Sequence, residues 1–213
     1  MAMKVFKLMP LSICDTNSFV VTDDLDSCVL IDAPDDADYI LETLSSLGLT
    51  LDKILLTHGH FDHIGAVADL IEKTGCKVYI HSGDLQKLKE GDAMLGRFFG
   101  ASGFKPVHDA ETFEDGDVIR EGELEFTVLH TPGHTSGSCC FMIGDCLFTG
   151  DTLFRRSIGR TDMPDGNYDL MKRSLERLCY LNGSFTVYPG HMGTTTLEEE
   201  RHYNPYLCEL GDF

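Results

Sequence analysis

Four short apolar runs of strand character in this chain each end in a glycine-bearing turn that carries histidine or aspartate, and that pattern constrains the fold most. Lys53-Ile54-Leu55-Leu56-Thr57 runs into His58-Gly59-His60-Phe61-Asp62-His63. Glu125 to His130 leads through Thr131-Pro132-Gly133 to His134, Cys146 to Thr149 through Gly150 to Asp151, and Phe185 to Tyr188 through Pro189-Gly190 to His191. Glycine allows the turn that aims a side chain back over a sheet end. Polar side chains just beyond several strands converge only if those strands end on one rim, so the pattern predicts a sheet scaffold with its chemistry along one edge.

The remaining periodicity is of mixed α/β type. Met3 to Pro10, Asn17 to Thr22 and Ser27 to Ile31 read as opening strands. Asp35-Asp36-Ala37-Asp38 leads into Tyr39, Ile40, Leu41, Leu44 and Leu47 at helical spacing, closed by Gly48. Ile64, Val67, Ala68 and Ile71 predict a second helix that stops at Gly75, and Val78 to Ile80 a further strand, giving a βαβ-like first half. Later come strands Glu125 to His130, Ser138 to Ile143 and Cys146 to Thr149, with Gly144-Asp145 as a hairpin turn. Tyr168 to Leu181 reads as the last helix, before the strand at Phe185. Asp84 to Gly103 shows no clear pattern, and Phe98-Phe99 within it reads as core packing. Without a repeat, a linker or a low-complexity tract, residues 1–213 are expected to form a single domain.

Charge narrows the partners. Seventeen basic residues against thirty-five acidic ones give a formal charge of −18, which disfavours nucleic acid and anionic lipid. The same charge, with no basic exosite segment visible, disfavours a ribonuclease. No apolar run is long enough to span a bilayer and the N-terminus lacks the pattern of a signal peptide, so a cytoplasmic location without membrane association is expected. The eight cysteines, none spaced Cys-x-x-Cys, are expected to be reduced core residues.

His58 to His63 packs three imidazoles and a carboxylate into six residues at a strand-to-helix junction. Taken singly, each histidine reads as a polar loop residue and Asp151 as a turn former; so many ligands in one loop point instead to a metal, with zinc, iron and manganese all suited to nitrogen and oxygen donors. In extended backbone His58 and His60 point to one side, while the turn into the helix redirects Asp62 and His63 toward a second point nearby. One segment thus serves two adjacent divalent ions. Two such ions generate a metal-bound hydroxide at neutral pH and polarise the carbonyl it attacks, so no serine or cysteine nucleophile is required.

Thr57-His58-Gly59-His60-Phe61-Asp62-His63, with His134, Asp151 and His191 downstream, resembles the metallo-β-lactamase fold hydrolases. Gly150-Asp151-Thr152-Leu153-Phe154, Ser157-Ile158-Gly159-Arg160-Thr161-Asp162 and Asn204-Pro205-Tyr206-Leu207 are similar to the short bacterial glyoxalase II-type, hydroxyacylglutathione hydrolase-like proteins. The resemblance implies a four-layer αββα sandwich of the α/β class with metals at one edge. It implies His58, His60 and His134 on one ion, Asp62, His63 and His191 on the other, and Asp151 bridging, with zinc expected first and Asp62 and Asp151 orienting the attacking hydroxide. Asp151 stands where many zinc β-lactamases have cysteine or serine, and His60 where flavodiiron proteins have glutamate, which argues against those branches.

The expected substrate is a small thioester. Arg160 lies near the position of a basic substrate-binding residue of longer glyoxalase II proteins, although the tyrosine that accompanies it there is Asp162 here. The sequence stops soon after Leu207, without the helical segment that completes the glutathione pocket in those relatives, so another small thiol carrier fits as well. A persulfide dioxygenase with one iron on His58, His134 and Asp151 is the alternative. His81 and His130 are expected at strand ends near the centre, and His108 and His202 on the surface.

Overall fold

The structure, a computed structural model, describes residues 3–8, 14–23, 26–91 and 104–210. The first sheet contains β1 (Lys4–Lys7), β2 (Phe19–Thr22), β3 (Ser27–Ile31), β4 (Thr50–Leu55), β5 (Lys77–His81) and β6 (Glu111–Phe113), in that spatial order. β1, β2 and β3 pair antiparallel, whereas β3 to β6 run parallel. Parallel neighbours need crossovers, and α1 (Ala37–Ser46) joins β3 to β4 while α2 (Phe61–Ile64) and α3 (Val67–Thr74) join β4 to β5. The Asp36 side chain caps α1 by accepting from Tyr39 N at 3.0 Å. α4 (Leu85–Glu90) follows β5.

The second sheet is built from β7 (Val118–Glu121), β8 (Leu124–His130), β9 (Cys139–Ile143), β10 (Cys146–Gly150), β13 (Thr186–Pro189) and β14 (Thr195–Thr196), ordered β14-β13-β10-β9-β8-β7. A small hairpin, β11 (Leu153–Phe154) with β12 (Ser157–Ile158), precedes α5 (Tyr168–Cys179). α6 (Leu197–Tyr203) and α7 (Pro205–Cys208) follow the last strand.

Side-chain alternation turns these elements into four layers. Phe19, Val21, Val29, Ile31 and Leu55 of the first sheet meet Phe126, Val128, Phe141 and Phe148 of the second in the central core. The intervening residues Val20, Leu30 and Ile54 face outward onto Ile40, Leu44 and Leu70 of α1 and α3. On the opposite side Leu129, Cys140 and Leu147 pack against Met171, Leu175 and Leu178 of α5 and Leu197 and Leu207 of the last two helices. Both faces of both sheets are therefore apolar, which is why Phe19-Val20-Val21 and Cys139-Cys140-Phe141 read as continuous apolar runs. The result is the expected αββα sandwich. Each fully buried Phe or Leu contributes roughly 1.5–3 kcal/mol relative to exposure. All eight cysteines are free.

Several boundaries differ from the sequence reading. The strand expected at Lys53 to Thr57 starts at Thr50 and ends at Leu55, because the Thr57 amide leaves the ladder for the Asp32 carboxylate at 2.8 Å. The helix expected from Ile64 to Gly75 is broken by Gly65-Ala66, so α2 and α3 are separate turns around the site. Tyr168 to Cys179 is not the last helix, since α6 and α7 come after it. β6, β7, β11, β12, β14 and α4 are further elements to which the sequence reading assigns no pattern. Pro10, Met94, Leu95, Phe98 and Phe99 lie outside the described residues. Among the described residues, no helix is long and apolar enough to cross a membrane.

Candidate metal centre

The ends of β4, β8, β10 and β13 meet on one rim, cross-tied by Cys139 N to Thr57 O at 2.9 Å, Gly190 N to Gly150 O at 2.8 Å and Asn17 N to Gly190 O at 2.7 Å. This brings all seven expected ligands together. His58, His60 and His134 form one group of converging donor atoms and Asp62, His63 and His191 another, while His58, His63 and Asp151 form a third between them.

The outer nitrogens explain which way the rings face. His63 Nδ1 lies 2.8 Å from Asp32 Oδ2, His134 Nδ1 2.8 Å from Arg160 O, and His191 Nδ1 3.1 Å from Cys14 O. These partners only accept, so each Nδ1 donates and each Nε2 turns a lone pair inward. Thr57 Oγ1 donates to Asp32 Oδ2 at 2.8 Å and so accepts from His58 Nδ1 at 3.1 Å, which fixes His58 in the same tautomer. His60 presents Nδ1 instead, 2.8 Å from His134 Nε2. Thr16 Oγ1 donates to Asp62 Oδ2 at 2.9 Å and steadies that carboxylate.

His58 Nε2, His63 Nε2 and Asp151 Oδ1 are buried without a hydrogen-bond partner, an arrangement that costs free energy unless a cation takes the lone pairs. The spacing suits one. Two donors each about 2.0–2.1 Å from a tetrahedral zinc stand about 3.3 Å apart. Asp151 Oδ2 is 3.4 Å from both His134 Nε2 and His191 Nε2, Asp151 Oδ1 is 3.4 Å from His63 Nε2, and His191 Nε2 is 3.4 Å from Asp62 Oδ2. One Asp151 oxygen therefore faces a histidine from each triad, as a bridging carboxylate would.

Electrostatics agree with a cation site. Burial opposes the charge of Asp151, but His63, His191 and His134 hold its carboxyl well below the usual range. Asp62, also opposed by burial, is held at about 2 chiefly by His63 and His191. Burial and the neighbouring imidazoles keep His58 neutral by pushing its pKa far down. Burial likewise disfavours the charged form of His63 and His191, yet the carboxylates outweigh it, raising His63 well above the ordinary value and His191 to about 9.

Arg160 takes another place. Its guanidinium is 68% exposed and paired with Asp162 at 2.9 and 3.0 Å, while its carbonyl is the group that reaches the centre, through His134. Arg155 and Arg156 are exposed, Arg156 lying over the Tyr203 ring. His81 and His130 stack 4.0 Å apart at the ends of β5 and β8, and His108 and His202 are exposed.

Sequence reasoning missed the residues that hold the ligands. Asp32, at φ 59°, fastens Thr57 and His63. Fully buried Asp84 fastens the Gly59 and Thr135 loops. Asp32 carried a readable signal, because it ends β3 just as the ligands end their strands.

Residues 11–191 match the metallo-beta-lactamase superfamily. The chain is 31% identical over 205 residues to the hydroxyacylglutathione hydrolase GloC of Haemophilus influenzae, covering 94% of this chain and 97% of that one. Among solved structures it resembles BLEG-1, a B3 metallo-beta-lactamase, with TM-score 0.89 and 32% identity over 96% of this chain and 99% of that one. It also resembles TTHA1623 in a di-iron-bound form, with TM-score 0.83 and 37% identity over 95% and 100%. ETHE1 from Myxococcus xanthus gives TM-score 0.77 and 32% identity over 95% and 83%.

Proposed function

The chain belongs to the metallo-beta-lactamase superfamily, and from that premise we propose that it is a dinuclear-metal hydrolase of S-acyl derivatives of glutathione or a similar small thiol. The observation that carries the dinuclear reading is the Asp151 carboxylate, whose Oδ2 stands 3.4 Å from a histidine of each triad. Likeness to the protein named hydroxyacylglutathione hydrolase supports the thioester as substrate class.

His58, His60 and His134 would hold one divalent ion, Asp62, His63 and His191 the other, with Asp151 between. When bound, two such ions supply a water-derived nucleophile at neutral pH and Lewis-acid polarisation of a carbonyl. Asp62 and Asp151, ionised and steadied by Thr16 and the imidazoles, accept hydrogen bonds from the attacking water and orient it. The thiolate product leaves with little need of a proton, consistent with a rim where every inward imidazole is committed to a ligand role. Arg160 would reach a substrate carboxylate only by exchanging Asp162, so its contribution falls on binding. Zinc is the expected ion, and the di-iron neighbour makes iron the second to test.

The test follows thiol release from S-lactoylglutathione and a panel of other thioesters, with metal content and oxygen uptake measured on the same preparations. Wild type should carry close to two ions and release thiol without consuming oxygen. Asp151→Ala should lose nearly all turnover, and Arg160→Ala should raise KM more than it lowers kcat. Thiol release absent from every thioester by metal-loaded wild type refutes the thioesterase reading. Oxygen uptake with a persulfide at a single iron establishes the dioxygenase in its place.

A further inference from the structure

Asp84, which lies outside the proposed ligand set, accepts four hydrogen bonds. It has no exposed surface, and each of its oxygens accepts from two donors. Oδ2 receives Gly59 N at 2.7 Å and Thr135 Oγ1 at 2.7 Å. Oδ1 receives Gly137 N at 3.0 Å and Lys87 Nζ at 2.5 Å. Gly59 lies between His58 and His60, and Thr135 directly follows His134. The carboxylate therefore joins the two loops that supply one triad, while Asp32 joins Thr57 to His63 on the other side.

The surroundings leave the clamp no slack. A Cβ placed on Gly137 would fall 2.6 Å from Asp84 Cγ, and one on Gly59 would fall 2.8 Å from Lys87 Cβ. Lys87 is held in turn by Asp165 Oδ2 at 2.7 Å, and that carboxylate also receives Ser136 N at 3.3 Å. The buried charge of Asp84 is thus paired and fully hydrogen-bonded, the condition under which a buried carboxylate is tolerated.

We infer that Asp84 is a positioning residue that sets the spacing of His58 and His60 against His134, and so tunes the affinity of that half of the centre for its ion without touching the half built on Asp62, His63 and His191. The inference rests on the dinuclear reading above. Its chemistry is specific. In Asp84→Asn one oxygen becomes an NH2 group, so whichever way the amide turns, two donors face a donor. Either Gly59 and Thr135 or Gly137 and Lys87 lose their acceptor. Groups that fix ligands from behind typically shift metal affinity about 10–100-fold.

The experiment titrates metal-depleted wild type, Asp84→Asn and Thr135→Val with zinc against a competing chelator, and follows the histidine ring resonances and the melting temperature of each metal-free protein. Wild type should show two binding steps. In Asp84→Asn one step should weaken about 10–100-fold, the one reported by His58, His60 and His134, with the other within threefold of wild type. Thr135→Val, which removes one of the four hydrogen bonds, should weaken the same step by less and serves as the deciding variant if Asp84→Asn does not fold. Two unchanged steps in Asp84→Asn, or equal weakening of both in proportion to a fall in melting temperature, overturn the inference. Wild type that binds fewer than two ions overturns the dinuclear reading with it, whereas two ions in wild type and an unaffected variant overturn the clamp alone.

Discussion

Replacing Gly190 with alanine isolates the effect of carboxylate placement from that of the fold. Gly190 is not left-handed, so its backbone accepts a Cβ without conformational strain. The new methyl would nevertheless fall 2.3 Å from Asp151 Oδ1 and 2.8 Å from His63 Cε1. Ordinary contact between such atoms lies near 3.5 Å, so something must move by about 1 Å. Gly190 itself is pinned, its N–H on Gly150 O at 2.8 Å and its carbonyl on Asn17 N at 2.7 Å. The Asp151 side chain is the freer partner and takes the displacement. Catalytic groups must hold position to about 0.5 Å, and an error of about 1 Å costs about 100-fold in rate, or about 2.7 kcal/mol of barrier. Overpacking adds about 1–3 kcal/mol of destabilisation. Gly190→Ala should therefore keep its circular dichroism spectrum, melt a few degrees lower, lose part of its metal in elemental analysis and fall about 100-fold in kcat/KM for a thioester. Full loading with two ions and turnover within threefold of wild type would refute the reasoning.

Three further outcomes follow from the same geometry. Asp32→Asn should weaken zinc binding about 10–100-fold in a chelator competition, because an amide oxygen at the Oδ2 position sets the NH2 group against the Thr57 N–H, and the flipped amide sets it against Thr57 Oγ1 and His63 Nδ1; unchanged affinity would show that His63 needs no such anchor. Stripping both metals should lower the melting temperature by about 11–22 °C when the free ion stands near 100 times its dissociation constant at each site, a stabilisation of about 2.7 kcal/mol per site, and equal melting with and without chelator would count against ligand binding by the folded state. Native protein treated with a thiol reagent near pH 8 should label Cys208, which is exposed, well ahead of Cys28, pushed up to about 12 by burial, and of Cys140, Cys146 and Cys179, each pushed up to about 11 by burial, while all eight react after denaturation; rapid native labelling of the buried four would contradict the packing.

The parts of this molecule that could be read in the sequence are those whose signal is local. His58 to His63 is one run, and the glycines that turn Asp151 and His191 inward adjoin them, so the rim was visible before any packing was known. α6 had a local signal too, Thr196 three residues before Glu199, and its hydroxyl does cap the Glu199 amide at 3.1 Å. Short edge strands such as β6 and β14 had none, because three-residue and two-residue pairings draw their stability from the sheet they join.

Groups that hold the ligands are different in kind. Asp84 reaches 25 residues back to Gly59 and 53 ahead to Gly137, and in sequence it is only an aspartate before a helix. Arg160 shows the limit from the other side, since residue type points only to its guanidinium as a substrate contact, while its carbonyl also orients His134, a role any residue type supplies. Ligand identity is written in residue types because a metal selects donor atoms; ligand orientation is written in proximity, because any well-placed acceptor fixes a tautomer. A substitution at position 160 should accordingly leave His134 in place while the backbone is unchanged, whereas one at Asp32 or Asp84 should not, and that contrast separates the two kinds of information within a single site.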